Sequence, residues 1–173
     1  MGTSQQMDVF GYALNAERDG MNFYLKAARK FKGEEDLKDV FSRLAKEEAK
    51  HMETFLGLRA KMEGKDIGEC FRIPEVGGYL ESVIQEGLFP KGENATKRLE
   101  KIKSVGEACA VAMQAEKNSI LLYSELSKLT KDKEQKKILD KIAKEEKAHL
   151  VMVRGLRADF DPMYAALKFG RFF

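Results

Sequence analysis

The sequence predicts an all-α domain folded as a four-helix bundle with one long crossover. Three features predict it: a composition typical of long amphipathic helices, apolar residues recurring at helical spacing in four segments, and a helix pair that occurs twice. Of 173 residues, 43% are hydrophobic and 34% charged, with no Trp and only three Pro, a make-up that favours helices over sheets. A single domain of this length hides roughly 70% of the surface its unfolded chain exposes, enough for a continuous core.

Phe10, Ala13, Leu14, Met21, Tyr24, Ala28 and Phe31 share one helical face, and Gly33 stops that first helix before Glu34, Glu35 and Asp36 open the next. Val40, Phe41, Leu44, Ala45, Met52, Phe55, Leu58 and Met62 form the stripe of the second helix, which Gly64 ends. From Gly64 to Asn94 the chain carries Pro74, Gly77, Gly78, Gly87, Pro90 and Gly92 around a short amphipathic piece from Tyr79 to Glu86, which reads as a crossover. Asn94 is placed to cap a third helix with an inner stripe of Cys109, Ala112, Met113, Ile120, Tyr123 and Leu126. A turn near Lys131 and Asp132 leads to the fourth helix, with Ile138, Leu139, Ile142, Ala143, Leu150, Val153 and Leu156 on its apolar face. After Asp161 and Pro162, the tail MYAALKFGRFF is expected to add a short helix on the bundle end. The expected organisation is one domain: helix pair 5–63, crossover 64–94, helix pair 95–158 and tail 159–173.

The duplication is direct. RLAKEEAKHMETFLGLRA (Arg43–Ala60) matches KIAKEEKAHLVMVRGLRA (Lys141–Ala158) at an offset of 98 residues, and AERDGMNFY (Ala16–Tyr24) matches AEKNSILLY (Ala115–Tyr123) at 99. Short turns make each pair antiparallel, whereas the connection between the pairs can run the ~42 Å length of a ~28-residue helix. One long crossover is the mark of the ferritin-like topology; an up-down bundle with short loops does not need it.

Charge and targeting exclude several functions. Lys and Arg number 31 against 28 Asp and Glu, for a net charge of +3. The basic clusters at Lys97, Arg98, Lys101 and Lys103 and from Lys133 to Lys137 are interspersed with Glu, so they read as solvated helix faces and no nucleic-acid partner is expected. No apolar run approaches the ~18 residues of a membrane span, and the N-terminus has no signal-like pattern, so a cytoplasmic protein with no membrane partner is expected. Cys70 and Cys109 are isolated and form neither a disulfide framework nor a C-x-x-C pair; Cys109, on an apolar stripe, reads as packing.

Four acidic residues occupy positions where the pattern calls for apolar ones. Glu17 follows Phe10, Ala13 and Leu14; Glu116 follows Cys109, Ala112 and Met113; Glu48 lies between Ala45 and Met52, and Glu146 between Ala143 and Leu150. The chain's two histidines, His51 and His149, come three residues after Glu48 and Glu146, on the same helix face. Buried carboxylates without partners cost several kcal/mol each and repel one another. Two divalent cations balance four carboxylates, and two imidazoles complete an oxygen-and-nitrogen set suited to iron or manganese. Ferritin-like bundles build their two-metal sites in this way, with one Glu from each of two helices and Glu-x-x-His from each of the other two. The bland alternative is that Glu-x-x-His is a surface feature of charged helices; two copies, each with a matched upstream Glu 31 or 30 residues away, favour the metal site.

Helical phase groups Glu47 with Arg43, Lys50 and Thr54, and Glu145 with Lys141, so these two are expected to face solvent or the edge of the site. Tyr24 and Tyr123 lie seven residues beyond Glu17 and Glu116 on the same faces. They either hydrogen-bond ligating carboxylates on a neighbouring helix or are core aromatics bonded to backbone.

AERDGMNFY, AKEEAKH, AEKNSILLY and AKEEKAH resemble the four metal-binding helices of the rubrerythrin and ferritin-like superfamily. That resemblance implies two iron ions, with manganese or zinc as alternatives, held by Glu17, Glu48, His51, Glu116, Glu146 and His149. By it, Glu48 and Glu146 bridge the two ions and each histidine completes one. The sequence departs from the family twice. Rubrerythrins carry a C-terminal rubredoxin domain with four cysteines, which this sequence lacks, so the resemblance implies a stand-alone protein taking electrons from a separate donor such as rubredoxin. They also carry another Glu one turn after the third-helix ligand, where this chain has Lys117, Asn118 and Ser119.

The leading functional expectation is an oxidoreductase of peroxidase type, active in oxidative stress, that reduces hydrogen peroxide or dioxygen as a homodimer. A second is ferroxidase activity with iron storage in a large shell of subunits. A third is a metal-binding protein without turnover, structural or sensory.

Overall fold

A computed structural model describes residues 9–61 and 100–168, in which the chain forms five helices: α1 Val9–Lys30, α2 Glu35–Lys61, α3 Val105–Leu129, α4 Lys133–Phe160 and α5 Pro162–Lys168. No strand occurs among the described residues. The all-α bundle expected from the sequence is what forms. The crossover, Asn94 and Gly64 lie outside the described residues.

The helices pack as two antiparallel pairs, α1 with α2 and α3 with α4, and the pairs face each other chiefly where α2 meets α4. The turn between α1 and α2 starts at Phe31, whose N–H still reaches Ala27 O, and closes with Glu34 N–H on Phe31 O. Asp132 caps α4, its side chain accepting from Glu134 N and Gln135 N.

The third helix starts later than the expected bounds of its helix pair, 95–158. The chain breaks at Ile102–Ser104, and α3 begins at Val105 with Ser104 as its cap. Ser104 has extended backbone and accepts from Glu107 N at 3.2 Å, while the Glu107 carboxylate accepts from Lys103 N at 2.8 Å. Ser-x-x-Glu is a capping signal in its own right, and it sets the start of α3.

Asp161 ends α4 and starts α5. Its carboxylate accepts from Tyr164 N at 3.0 Å, and Pro162 fills the first helical position, where a missing N–H costs nothing. The same carboxylate sits against the start of α3: a Cβ on Gly106 would lie 3.1 Å from Asp161 Oδ2, so glycine permits the approach. The expected tail helix therefore forms, and Arg157 stacks over the Tyr164 ring at 4.2 Å to hold it on α4.

The core is a column of apolar side chains between the pairs, with Phe23, Leu37, Phe41, Leu44, Phe55, Leu122, Ile142 and Val153 almost wholly buried. Burying a side chain of this size contributes about 1.5–3 kcal/mol. Tyr24 stacks on Phe41 within the first helix pair, with ring centroids 6.1 Å apart, and Tyr123 of α3 packs across the bundle on Phe55 of α2 at 5.3 Å. Cys109 is buried in this column, as its stripe position predicts, and burial pushes its thiol up to about 12. No described helix is long and apolar enough to cross a membrane.

Candidate metal centre

Each of the four long helices sends one carboxylate to the same point in the bundle. Glu17 comes from α1, Glu48 from α2, Glu116 from α3 and Glu146 from α4; α2 and α4 add His51 and His149 one turn later. None of the six is more than 4% exposed. The structure therefore gathers all six residues that the sequence singled out.

Their ligand atoms fall into two overlapping groups. Glu17, Glu48, His51 and Glu146 offer atoms within 4.8 Å of one another, and so do Glu48, Glu116, Glu146 and His149. Glu48 and Glu146 belong to both. His51 Nδ1 lies 2.9 Å from Glu146, 3.3 Å from Glu17 and 3.5 Å from Glu48. His149 Nδ1 is 3.5 Å from Glu48, 3.6 Å from Glu146 and 3.7 Å from Glu116. The two rings stack with centroids 5.5 Å apart, and each turns its Nδ1 toward the buried carboxylates.

The charges redistribute as electrostatics requires. Burial, then Glu48 and Glu146, drives Glu17 well above the ordinary carboxylate range; burial and Glu146 do the same to Glu116. Glu48 and Glu146 go down despite burial, because the polar groups around them, both histidines among them, outweigh it. Burial alone would strip His51 and His149 of their protons, yet the surrounding carboxylates raise both far above the ordinary imidazole range. These directions favour protons on the two imidazoles and on the outer two Glu, and charge on Glu48 and Glu146.

Tyr24 and Tyr123 resolve toward the site rather than the backbone. Tyr24 Oη–H donates across the bundle to Glu116 Oε1, and Tyr123 Oη–H donates to Glu17 Oε1. Burial, followed by the partner carboxylate, raises both phenols well above their usual range, so they stay protonated donors. The Tyr24→Phe variant is expected to leave a buried Glu116 oxygen without its donor and to lose about 1–3 kcal/mol of stability, read by chemical denaturation. A variant as stable as the parent protein would show that this bond contributes nothing.

Glu47 and Glu145 depart from expectation. Helical phase put them at the solvent or the edge of the site, and both are partly exposed, yet each reaches a histidine of the opposite pair. His149 Nε2 is 2.8 Å from Glu47 Oε2, and His51 Nε2 is 3.2 Å from Glu145 Oε2. Arg43 and His149 hold Glu47 below the usual carboxylate range against the opposing effect of its partial burial. The signal was present in the sequence, since both copies read Ala-Lys-Glu-Glu. Phase within one helix cannot reveal a partner on another. In the stretch after Glu116, Lys117 is exposed and Asn118 accepts from Gln114 at 3.0 Å, while Ser119 is buried.

The Rubrerythrin family model matches residues 8–157. No curated protein and no solved structure matches the chain.

Proposed function

Because this chain belongs to the rubrerythrin family, we propose that its buried carboxylate–histidine cluster holds two iron ions and serves an oxidoreductase that reduces hydrogen peroxide or dioxygen. The observation that carries the proposal is the pair of overlapping ligand groups sharing Glu48 and Glu146. The residues fit such a pair of ions. Glu48 Oε1, Glu116 Oε2 and His149 Nδ1 are buried without a hydrogen bond, an arrangement that is costly unless a cation takes them. Four carboxylates match two divalent charges, and a set of carboxylate oxygens and imidazole nitrogens suits iron or manganese better than the thiolate-rich sites zinc favours.

In this reading Glu17 and His51 would hold one ion and Glu116 and His149 the other, with Glu48 and Glu146 available to both. When bound, the two ions supply one electron each to a two-electron reduction. Tyr24 and Tyr123 keep the outer carboxylates in place by holding one oxygen each. The rings of both tyrosines are packed on Phe41 and Phe55 and are wholly buried, so the site's outer carboxylates meet fixed donors. Converting hydrogen peroxide to two waters takes two electrons and two protons, so turnover needs an electron donor; a separate protein such as rubredoxin is proposed, acting on a homodimer in the cytoplasm.

The reading is tested by loading the protein with ferrous iron without air and mixing it rapidly with hydrogen peroxide. Oxidation of bound iron is expected to be faster than that of free ferrous ion at equal concentration. An equal or slower rate would contradict the peroxidase reading. A shell of many subunits that accumulates ferric mineral would move the function to iron storage.

A further inference from the structure

Hydrogen bonds leave the buried cluster on two sides of the bundle. Glu116 and Glu17 are bonded to Tyr24 and Tyr123, which are wholly buried. His149 and His51 are bonded crosswise to Glu47 and Glu145, whose side chains are 27% and 43% exposed. At the seam between α2 and α4, one hydrogen bond and one imidazole ring therefore separate a solvent-touching carboxylate from the centre of the site. The α1 and α3 side ends in buried phenols.

The surface over that seam is basic. In residues 43–50 and 141–148 the exposed positions are six cations, Arg43, Lys46, Lys50, Lys141, Lys144 and Lys147, and one Ala, Ala148. Helical phase turns Arg43, Lys50 and Lys141 to the same side as Glu47 and Glu145, with Lys46 and Lys144 flanking them and Lys147 turned toward α3. Arg43 lies 3.1 Å from Glu47 and Lys141 3.7 Å from Glu145. Lys46, Lys50 and Lys144 have no ion-pair partner among the described residues. The exposed acids of α2, Asp39 and Glu53, lie about one turn beyond either end of this patch. In a chain with a net charge of only +3, positive charge is thus concentrated over the one side where the site comes close to solvent. On α3 the exposed residues level with the site, Gln114, Lys117 and Leu121, include a single cation.

We propose that the outward face of the α2–α4 seam is the docking surface for a one-electron carrier protein with an acidic face, which passes its electrons inward through Glu47–His149 and Glu145–His51. The proposal rests on the redox reading above and names where its donor binds. Two reduced carriers give one electron each, and with two protons from solvent these convert one hydrogen peroxide to two waters. Complementary charge suits such a donor: it speeds encounter by about 10–1000-fold at low salt, and electron-transfer contacts are small and short-lived. Between exposed charges the attraction is screened beyond ~8 Å at physiological ionic strength, so the encounter is salt-sensitive.

The test uses the full chain with an acidic rubredoxin as the probe and has two readouts. The first is amide NMR of the protein without added metal. Rubredoxin is expected to shift signals at and around Lys46, Lys50 and Lys144 and to leave Arg18 on α1 and Lys117 on α3 in place; cytochrome c, a basic carrier, is expected to shift none of them. The second is the rate at which reduced rubredoxin re-reduces the iron-loaded protein after peroxide treatment, with variants compared at equal iron content. That rate is expected to fall about tenfold in Lys50→Glu/Lys144→Glu at low salt, and to change less than about twofold in Arg18→Glu/Lys117→Glu. Added salt should slow the parent and leave the Lys50→Glu/Lys144→Glu protein nearly unaffected. Shifts centred on α1 and α3, shifts with cytochrome c at the same lysines, or a rate indifferent to both salt and charge reversal would overturn the proposal. A parent protein that holds no iron, or whose iron does not respond to peroxide, would remove the redox reading and this proposal with it. A parent that holds iron and reacts with peroxide, yet takes electrons from rubredoxin equally well in every variant, would remove this proposal alone.

Discussion

Replacing Glu48 by Ala is expected to empty both halves of the metal centre together. Glu48 contributes atoms to both ligand groups, so each ion loses an oxygen at once, whereas Glu17 and Glu116 each serve one group. Removing the carboxylate also leaves three acidic side chains against two dications, a buried excess of positive charge in a site not more than 4% exposed. Iron content after gel filtration should fall from about two per chain to near zero, while Glu17→Ala should keep about one, each outer Glu serving a single ion. Glu146→Ala should behave like Glu48→Ala, since the two are related by the internal duplication. The fold itself should persist in these variants, because the apolar core that joins the helices keeps all its side chains. Retention of two ions in Glu48→Ala would mean that the ligand assignment is wrong.

Acidification is expected to expel the ions, with a slope that persists where an ordinary histidine has stopped titrating. Without metal, His51 and His149 are held protonated far above the ordinary imidazole range by Glu146, Glu17, Glu48 and Glu116. A metal can bind Nδ1 only after displacing that proton, so affinity per ion should fall at least about tenfold for each unit of decreasing pH. An unperturbed imidazole, with a pKa near ~6.5, would confine this dependence to below about pH 7. Because the histidine pKa values are raised, the dependence here continues through pH 7 and 8. Glu17 and Glu116, raised by burial and by their neighbours, release protons on loading as well and steepen the slope. Calorimetric titration in buffers of different ionisation enthalpy reads the protons released directly. Fewer than one proton per ion at pH 7.5 would contradict the charge distribution described above.

Much of this was legible in the sequence because the two helix pairs repeat. Glu17, Glu48, Glu116 and Glu146 interrupt apolar stripes, and an interruption repeated at offsets of 98 and 99 residues cannot be an accident of one surface. The tail helix announced itself through Asp161–Pro162, a cap followed by the residue that suits a first helical turn. Two features were hidden for different reasons. The start of α3 at Val105 depends on a local competition between a side-chain cap at Ser104 and the backbone ladder, and an apolar stripe is blind to it. The roles of Glu47 and Glu145 depend on how α2 and α4 lie against each other, information that no single helix carries. The tyrosines fell between these cases: spacing put Tyr24 and Tyr123 on the site faces, but the choice between a carboxylate and a backbone partner needed the opposite helix in place.

The crosswise bonds give the centre a second consequence. Tyr24–Glu116 and Tyr123–Glu17 join α1 and α3, while Glu47–His149 and Glu145–His51 join α2 and α4. The polar cluster thus links the two helix pairs in both directions. Ions bound at its centre would stabilise the folded state by mass action, by about 2.7 kcal/mol for each site at a free concentration one hundred times its dissociation constant.

The most direct test of the central claim is the iron content of the folded, full-length chain after anaerobic loading with ferrous ion and removal of the excess. Two irons per chain, falling to near none in Glu48→Ala, is the result that two ligand groups sharing Glu48 and Glu146 require. One iron per chain, or none, would show that the buried cluster does not hold a metal pair.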